Sequence, residues 1–171
     1  MRLFEVGERL PPHHPNCFGC GPRNESGLHL RCHMTEEGVA GSVRLERRHE
    51  GGPGVAHGGI VAAVLDDVLG YLLYRLGVPM VTARLEVDYR RPVPLELDFG
   101  AAARILSQEG RKVWAEAELE REGTVHAQAR GLFVRVDPAH WVRASAAARE
   151  SIESWTRAGG EGEAGPGPVG P

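Results

Sequence analysis

Residues 57–77 read HGGIVAAVLDDVLGYLLYRLG, and this stretch decides the fold. From Ile60 to Leu76 almost every side chain is apolar, yet Asp66 and Asp67 sit side by side in the middle. An ionised carboxylate is expensive to bury without a partner, so acids are uncommon in apolar helices. The pattern predicts one long helix that begins at two glycines and stops at Gly77, with Pro79 beyond it. A helix apolar around most of its circumference suits burial on several sides. Its start carries Gly58 and Gly59 directly after His57. First-turn N–H groups have no intrahelical partner, and the helix dipole adds partial positive charge there. Glycine lets an oxygen approach such donors closely, and donors aimed at a developing oxyanion are a large catalytic term. The plainer reading is that the two glycines only allow the loop to pack tightly.

On both sides of this helix the chain reads as strands. LHLRCHM (28–34) and VAGSVRL (39–45) flank the turn Thr35-Glu36-Glu37-Gly38, which predicts a hairpin. HEGGPGVA (49–56) predicts a Gly/Pro loop leading into the helix. After the helix, VTARLEVDYR (81–90) alternates. Val81, Ala83, Leu85, Val87 and Tyr89 fall on one face, and Thr82, Arg84, Glu86, Asp88 and Arg90 on the other. The second face alternates in charge sign and reads as solvated or subunit-facing. Then come LDFGAAARILSQ, KVWAEAELER and TVHAQARGLFVRV, parted by turns at Glu109-Gly110 and Glu122-Gly123, an antiparallel meander. The expected class is α+β: a curved antiparallel sheet wrapped around one long central helix. The expected organisation is an irregular arm over 1–26, the domain over 27–137, a helix with Trp141 and Trp155 over 138–157, and a disordered tail over 158–171.

Composition narrows the function. The 171 residues fit one domain, and 42% apolar with 25% charged residues is ordinary for a globular protein. A net charge of -3 disfavours broad binding to nucleic acid or an anionic membrane, so neither is expected as a partner. The start of the sequence has no apolar run of the signal-peptide type, and there are three cysteines; a reducing, cytoplasmic setting is expected.

Two adjacent carboxylates lie about 100° apart around a helix, so Asp66 and Asp67 cannot share an environment. One in a cleft can act as general base on water or attack a carbonyl directly. The alternative is a solvated acid, or one paired with Arg75 or Arg84. Spacing adds a constraint. Gly58 and Asp66 are eight residues apart, roughly 12 Å along the axis, whereas a base must come within about 3 Å of the atom it serves or reach it through one water. If both are catalytic, Gly58 of one subunit must work with Asp66 of another, across a two-fold axis.

His57-Gly58-Gly59, Asp66 nine residues after His57, and the segment Val81-Thr82-Ala83-Arg84-Leu85-Glu86-Val87-Asp88-Tyr89-Arg90-Arg91-Pro92 together resemble the hotdog-fold acyl-CoA thioesterases, in their PaaI-like and THEM4-like group. The resemblance covers roughly residues 17–136. It implies a hotdog fold, a homo-oligomer (dimer or dimer of dimers), an acyl-CoA substrate and no cofactor. It gives Gly58 the N–H that polarises the thioester carbonyl, and Asp66 the role of base or nucleophile. Thr82 becomes the residue that orients water, and His57, which shapes the loop, and Gly59 become substrate-binding residues. One departure stands out: some relatives place Asn or Gln six residues before the histidine, where this chain has Gly51. His49 is a weak substitute.

Other features stay in the background. Cys17-Phe18-Gly19-Cys20-Gly21 is a C-x-x-C motif with His13 and His14 before it and Cys32 after it. Zinc takes such ligands, but one C-x-x-C without a second pair is a modest signal, so no metal is assigned and the motif is read as an arm feature. Gly52-Pro53-Gly54-Val55-Ala56-His57 has His where a dinucleotide fingerprint needs its third Gly, and no βαβ pattern surrounds it. Arg90 and Arg91 are candidates for the phosphates of coenzyme A. Val61, Val64, Leu65 and Leu69 are expected to line an apolar acyl pocket. The expected activity is hydrolysis of an acyl-CoA to the free acid and coenzyme A. The alternatives are an acyl-CoA-binding protein without turnover and, less favoured, an enoyl-CoA hydratase.

Overall fold

The computed structural model describes residues 3–137 and 148–149. The expected helix and tail over 138–171, with Trp141 and Trp155, lie outside these residues apart from 148–149. Strands β1 (Arg31–Met34) and β2 (Gly38–Arg44) form the expected hairpin, with the Thr35 hydroxyl accepting from the Gly38 N–H in its turn. Residues 49–56 are not simply a loop. β3 (Glu50–Gly52) and β4 (Val55–Ala56) pair as a second, very short hairpin, and Gly54 at φ 74° makes its turn.

The apolar stretch forms α1 (Gly58–Gly70) and α2 (Leu72–Leu76), not one unbroken helix. The break at Tyr71 has a local cause. The Tyr71 N–H reaches back to Asp67 O, while the Tyr74 N–H takes Tyr71 O three residues earlier, which tightens the turn. Gly70, just before the break, leaves room for the ring of His13: a Cβ there would sit 3.1 Å from His13 Cε1. Gly77, at φ 69°, ends α2 as expected.

Strands β5 (Met80–Tyr89), β6 (Asp98–Glu109), β7 (Lys112–Arg121) and β8 (Thr124–Arg135) complete one six-stranded antiparallel sheet. Its order is β1-β2-β6-β7-β8-β5. The meander β6-β7-β8 is therefore the middle, the first hairpin adds to one side, and β5 closes the other side as an edge strand. Helix α1 lies across one face and touches β2, β5, β6, β7 and β8. Val61, Val64, Leu65, Val68 and Leu69 are buried there against Val39, Val43, Phe99, Leu119 and Phe133. Ala101, Ala103, Ala115 and Ala117 are the small inward residues of β6 and β7 that let the helix sit close. Each buried Val or Leu contributes about 1.5–3 kcal/mol, so this stripe fixes the helix rotation. It also corrects one expectation. Val61, Val64, Leu65 and Leu69 are at most 2% exposed and form the core under the sheet, not the wall of an open pocket.

β5 departs from strict alternation. Thr82 pairs with Phe133 and Arg84 with Leu132, so Ala83 is an extra residue, a β-bulge. Such an insertion shifts the side-chain parity on one side of it. Thr82 consequently faces the helix together with Leu85, Val87 and Tyr89, instead of lying opposite them. Arg84, Glu86, Asp88 and Arg90 keep the outer face, where Arg84 pairs with Glu86 and Arg90 with Asp88.

Candidate active site

The core stripe of α1 leaves Asp66 on a flank of the helix, half-buried, and the bulge in β5 turns Thr82 toward it. The Thr82 hydroxyl donates to Asp66 Oδ1 at 2.9 Å. Neither arginine considered for this acid takes part: Arg75 donates to the carbonyls of Thr35 and Glu36, and Arg84 pairs with Glu86. A carboxylate held at one oxygen by a hydroxyl keeps its other oxygen for a water or an acyl carbon.

The start of α1 is shaped by His57. It is the N-cap, and its Nδ1 accepts the Gly59 N–H at 2.9 Å. The Gly59 N–H is therefore engaged within the cap. The Gly58 N–H has no acceptor among the described residues. Sequence reasoning passed over Tyr89 as a site residue. Its hydroxyl donates to Gly58 O at 2.9 Å and braces the first turn from β5. The available signal was the aromatic placed seven residues after Thr82 in the same strand.

Gly51 has a steric reason for its departure from the family pattern. A Cβ there would lie 2.6 Å from His57 Cα, so the β3-β4 hairpin closes onto the helix cap only without a side chain. His49 is buried and braces the same cap. Its carbonyl accepts the His57 N–H, its Nδ1 accepts the Glu46 N–H, and Nε2 has no partner among the described residues. Arg90 and Arg91 follow Tyr89 at the exposed end of β5, and both backbone N–H groups donate to His126 O. Arg91 has no side-chain partner among the described residues, while Arg90 faces Asp88 at 3.6 Å.

Asp67 turns the other way, toward the N-terminal arm. His13 Nδ1 lies 3.1 Å from its Oδ1, and the Cys17 thiol 3.4 Å from the same oxygen. Cys20 Sγ is 3.3 Å from His13 Nδ1. Burial pushes the Asp67 carboxyl above its ordinary range, which His13 only partly offsets. The hydrogen bond with Cys20, followed by that with His13, pulls the Cys17 thiol well down against the effect of burial. His14 and Cys32 stand outside this group, and its fourth member comes from α1.

Two surface concavities of the chain are lined by Glu109, Arg111, Lys112 and Val134, and by residues around Arg31, Arg44 and Arg48; neither reaches Asp66 or Gly58. Asp66 lies half-buried on the flank of α1, outside both concavities.

A six-stranded antiparallel sheet around one central helix, with an acid on the helix flank, defines the hotdog class. Residues 53–127 match the thioesterase superfamily. Over 91 residues it is 35% identical to acyl-coenzyme A thioesterase THEM4 of Rattus norvegicus, covering 52% of this chain and 39% of the relative. The Xenopus laevis protein of that name is 33% identical over 91 residues, 52% of this chain and 41% of its own. The chain thus spans less than half the length of these curated relatives. Among solved structures, the thioesterase superfamily protein RHA08564 superposes with a TM-score of 0.67 at 32% identity, over 70% of this chain and 60% of that one. A hypothetical thioesterase from Streptococcus pneumoniae TIGR4, solved with coenzyme A, shares the fold at a TM-score of 0.57 and 18% identity, over 60% of this chain and 84% of that one.

Proposed function

We propose that this protein is an acyl-CoA thioesterase that hydrolyses an acyl-CoA to the free acid and coenzyme A, at a site shared by two copies of the chain. The observation that carries the reading is the 2.9 Å hydrogen bond from Thr82 to Asp66, made by a bulge placed to produce it. With its proton on Asp66 Oδ1, the Thr82 oxygen has lone pairs to accept one hydrogen of a water. The free Asp66 oxygen accepts the other. The water oxygen then faces the thioester carbon. As its O–C bond forms, its proton passes to Asp66 and negative charge collects on the carbonyl oxygen. Collapse breaks the C–S bond, and the proton returns from Asp66 to the departing thiolate. Direct attack by Asp66 through an acyl anhydride uses the same residues.

The developing oxyanion needs donors, and the Gly58 N–H at the head of α1 is one without an internal acceptor. Its distance along the helix from Asp66 places it in the other site of a two-fold pair. The shape of the chain favours such a pair. Among the described residues β5 has one unpaired edge, and the flank of α1 around Asp66 carries Gly59, Ala62 and Ala63, small enough for a second helix to approach. The exposed Arg91 and Arg90 at the end of β5 supply positive charge beside Gly58 for the phosphates of coenzyme A.

The relatives named acyl-coenzyme A thioesterases favour the same substrate class. The hydratase alternative fits less well, because Asp66 has a threonine and not a histidine as partner, and His57 is engaged as the helix cap. The test is thiol release from a panel of acyl-CoA esters. Turnover that disappears in Asp66→Asn supports the mechanism. Full-rate turnover in that variant refutes it, and tight acyl-CoA binding without turnover in the wild type would favour the binding-protein alternative.

A further inference from the structure

We propose that His13, Cys17, Cys20 and Asp67 form a structural zinc site that fastens the N-terminal arm to helix α1. The proposal is independent of the catalytic reading, since the side chains of this cluster bond to one another and not to Asp66, Thr82 or Gly58.

Four observations support it. First, one ligating atom from each residue lies within 4.8 Å of the others. A tetrahedral zinc ion with bonds of about 2.0–2.3 Å sets its ligands about 3.3–3.8 Å apart. The recorded separations of 3.1, 3.3 and 3.4 Å between these donors are close to such edges. Second, the donor set is chemically that of zinc: two thiols, an imidazole nitrogen and a carboxylate, with no place for the larger oxygen shell of calcium. Third, the surroundings orient the donors. The His13 N–H donates to Cys20 Sγ at 3.3 Å, an interaction suited to a thiolate. The Gly21 N–H closes the C-x-x-C turn on Cys17 O at 2.9 Å, and the His13 ring packs on Tyr71 with centroids 4.4 Å apart. Fourth, the arm is shaped to reach the carboxylate. A Cβ at Gly19 would fall 2.1 Å from Asp67 Cγ, so no other residue permits this approach.

Asp67 Oδ2 is buried without a hydrogen-bond partner among the described residues. An acid and two thiols gathered in the interior call for positive charge beyond one imidazole, and a divalent cation supplies it. With four protein ligands the site has no open position, which makes it structural and not catalytic.

The full chain, purified under a phosphine reductant without chelator and without a metal-affinity tag, should carry about one zinc per chain by elemental mass spectrometry. Replacing zinc with cobalt(II) in the wild type should give intense visible bands of a tetrahedral ion and a near-ultraviolet thiolate-to-cobalt band. Cys17→Ser with Cys20→Ser, and separately Gly19→Ala, should lose most of the metal. The cobalt spectrum keeps the test decisive should these variants fold poorly. Wild-type protein with less than about a tenth of a zinc per chain and no thiolate-to-cobalt band would overturn the assignment. So would folded variants that keep their full metal content.

Discussion

Asp66 and Asp67 are neighbours in sequence with opposite surroundings. Asp66 is met by one hydroxyl from β5; Asp67 is met by a histidine and a thiol 54 and 50 residues away in the arm. The split was legible in advance, because about 100° of helix rotation forbids a shared environment. The partner of Asp66 came through the family resemblance alone, since alternation in the strand placed Thr82 on the opposite face and the charges suggested Arg75 or Arg84. The partners of Asp67 were not legible, since an arm without periodicity carries no signal of where it will fold back. At this scale the proposed chemistry makes graded predictions. Asp66→Asn keeps the shape and removes the base, and kcat should fall by about 100- to 10,000-fold with the circular dichroism spectrum unchanged. Thr82→Val keeps the volume and removes one hydrogen bond to a charged group, about 1.5–3 kcal/mol if fully expressed in the transition state, or roughly 10- to 150-fold in kcat. A Thr82→Val enzyme as slow as Asp66→Asn would mean that the hydroxyl does more than hold water.

Among the elements, β5 and the β3-β4 hairpin were hardest to read. Alternation from Val81 to Arg90 looks unbroken, because the bulged residue, Ala83, is small and apolar and fits the expected inner face. Only pairing with β8 reveals the extra residue, and pairing is not a property of the strand alone. Residues 49–56 were read as a loop because glycine and proline hide a hairpin of five paired-strand residues. The turns at Gly110 and Gly123, the stop at Gly77 and the first hairpin were legible, each resting on local chemistry. Two variants test what these elements do. Deleting Ala83 should restore regular pairing and leave Thr82 opposite Phe133, still on the helix face. The sheet should survive and thiol release should stay well above that of Thr82→Val; a fall as deep as in Thr82→Val would show that the bulge does more than set the face Thr82 occupies. Gly51→Ala drives a Cβ into the backbone of His57, and should cost about 1–3 kcal/mol in urea denaturation. A neutral result would show that the hairpin yields without disturbing the cap.

For the whole molecule, the rise of an α-helix is the controlling quantity. Gly58 and Asp66 cannot meet over one carbonyl within a chain, being roughly 12 Å apart along α1. The edge of β5 left unpaired among the described residues and the small residues around Asp66 fit a two-fold assembly in which each site takes its donor from one copy and its acid from the other. Two disabled chains test this directly. Asp66→Asn removes the acid. Gly58→Pro removes the donor at little structural cost, because proline is well tolerated at the first helical position, and His57 before it already has the extended backbone, φ −62° and ψ 136°, that a proline demands of its predecessor. Each variant alone should be inactive. In a mixed dimer, the intact Gly58 of the Asp66→Asn chain faces the intact Asp66 of the Gly58→Pro chain, so one of the two sites is whole. Random reassortment makes half the dimers mixed, and thiol release should recover to about a quarter of the wild-type value. Isolated mixed dimers, selected with two different tags, should reach about half. No recovery in dimers shown to be mixed would mean that donor and acid belong to one chain. The Gly58 N–H would then lose its catalytic assignment, since the geometry of α1 forbids that arrangement.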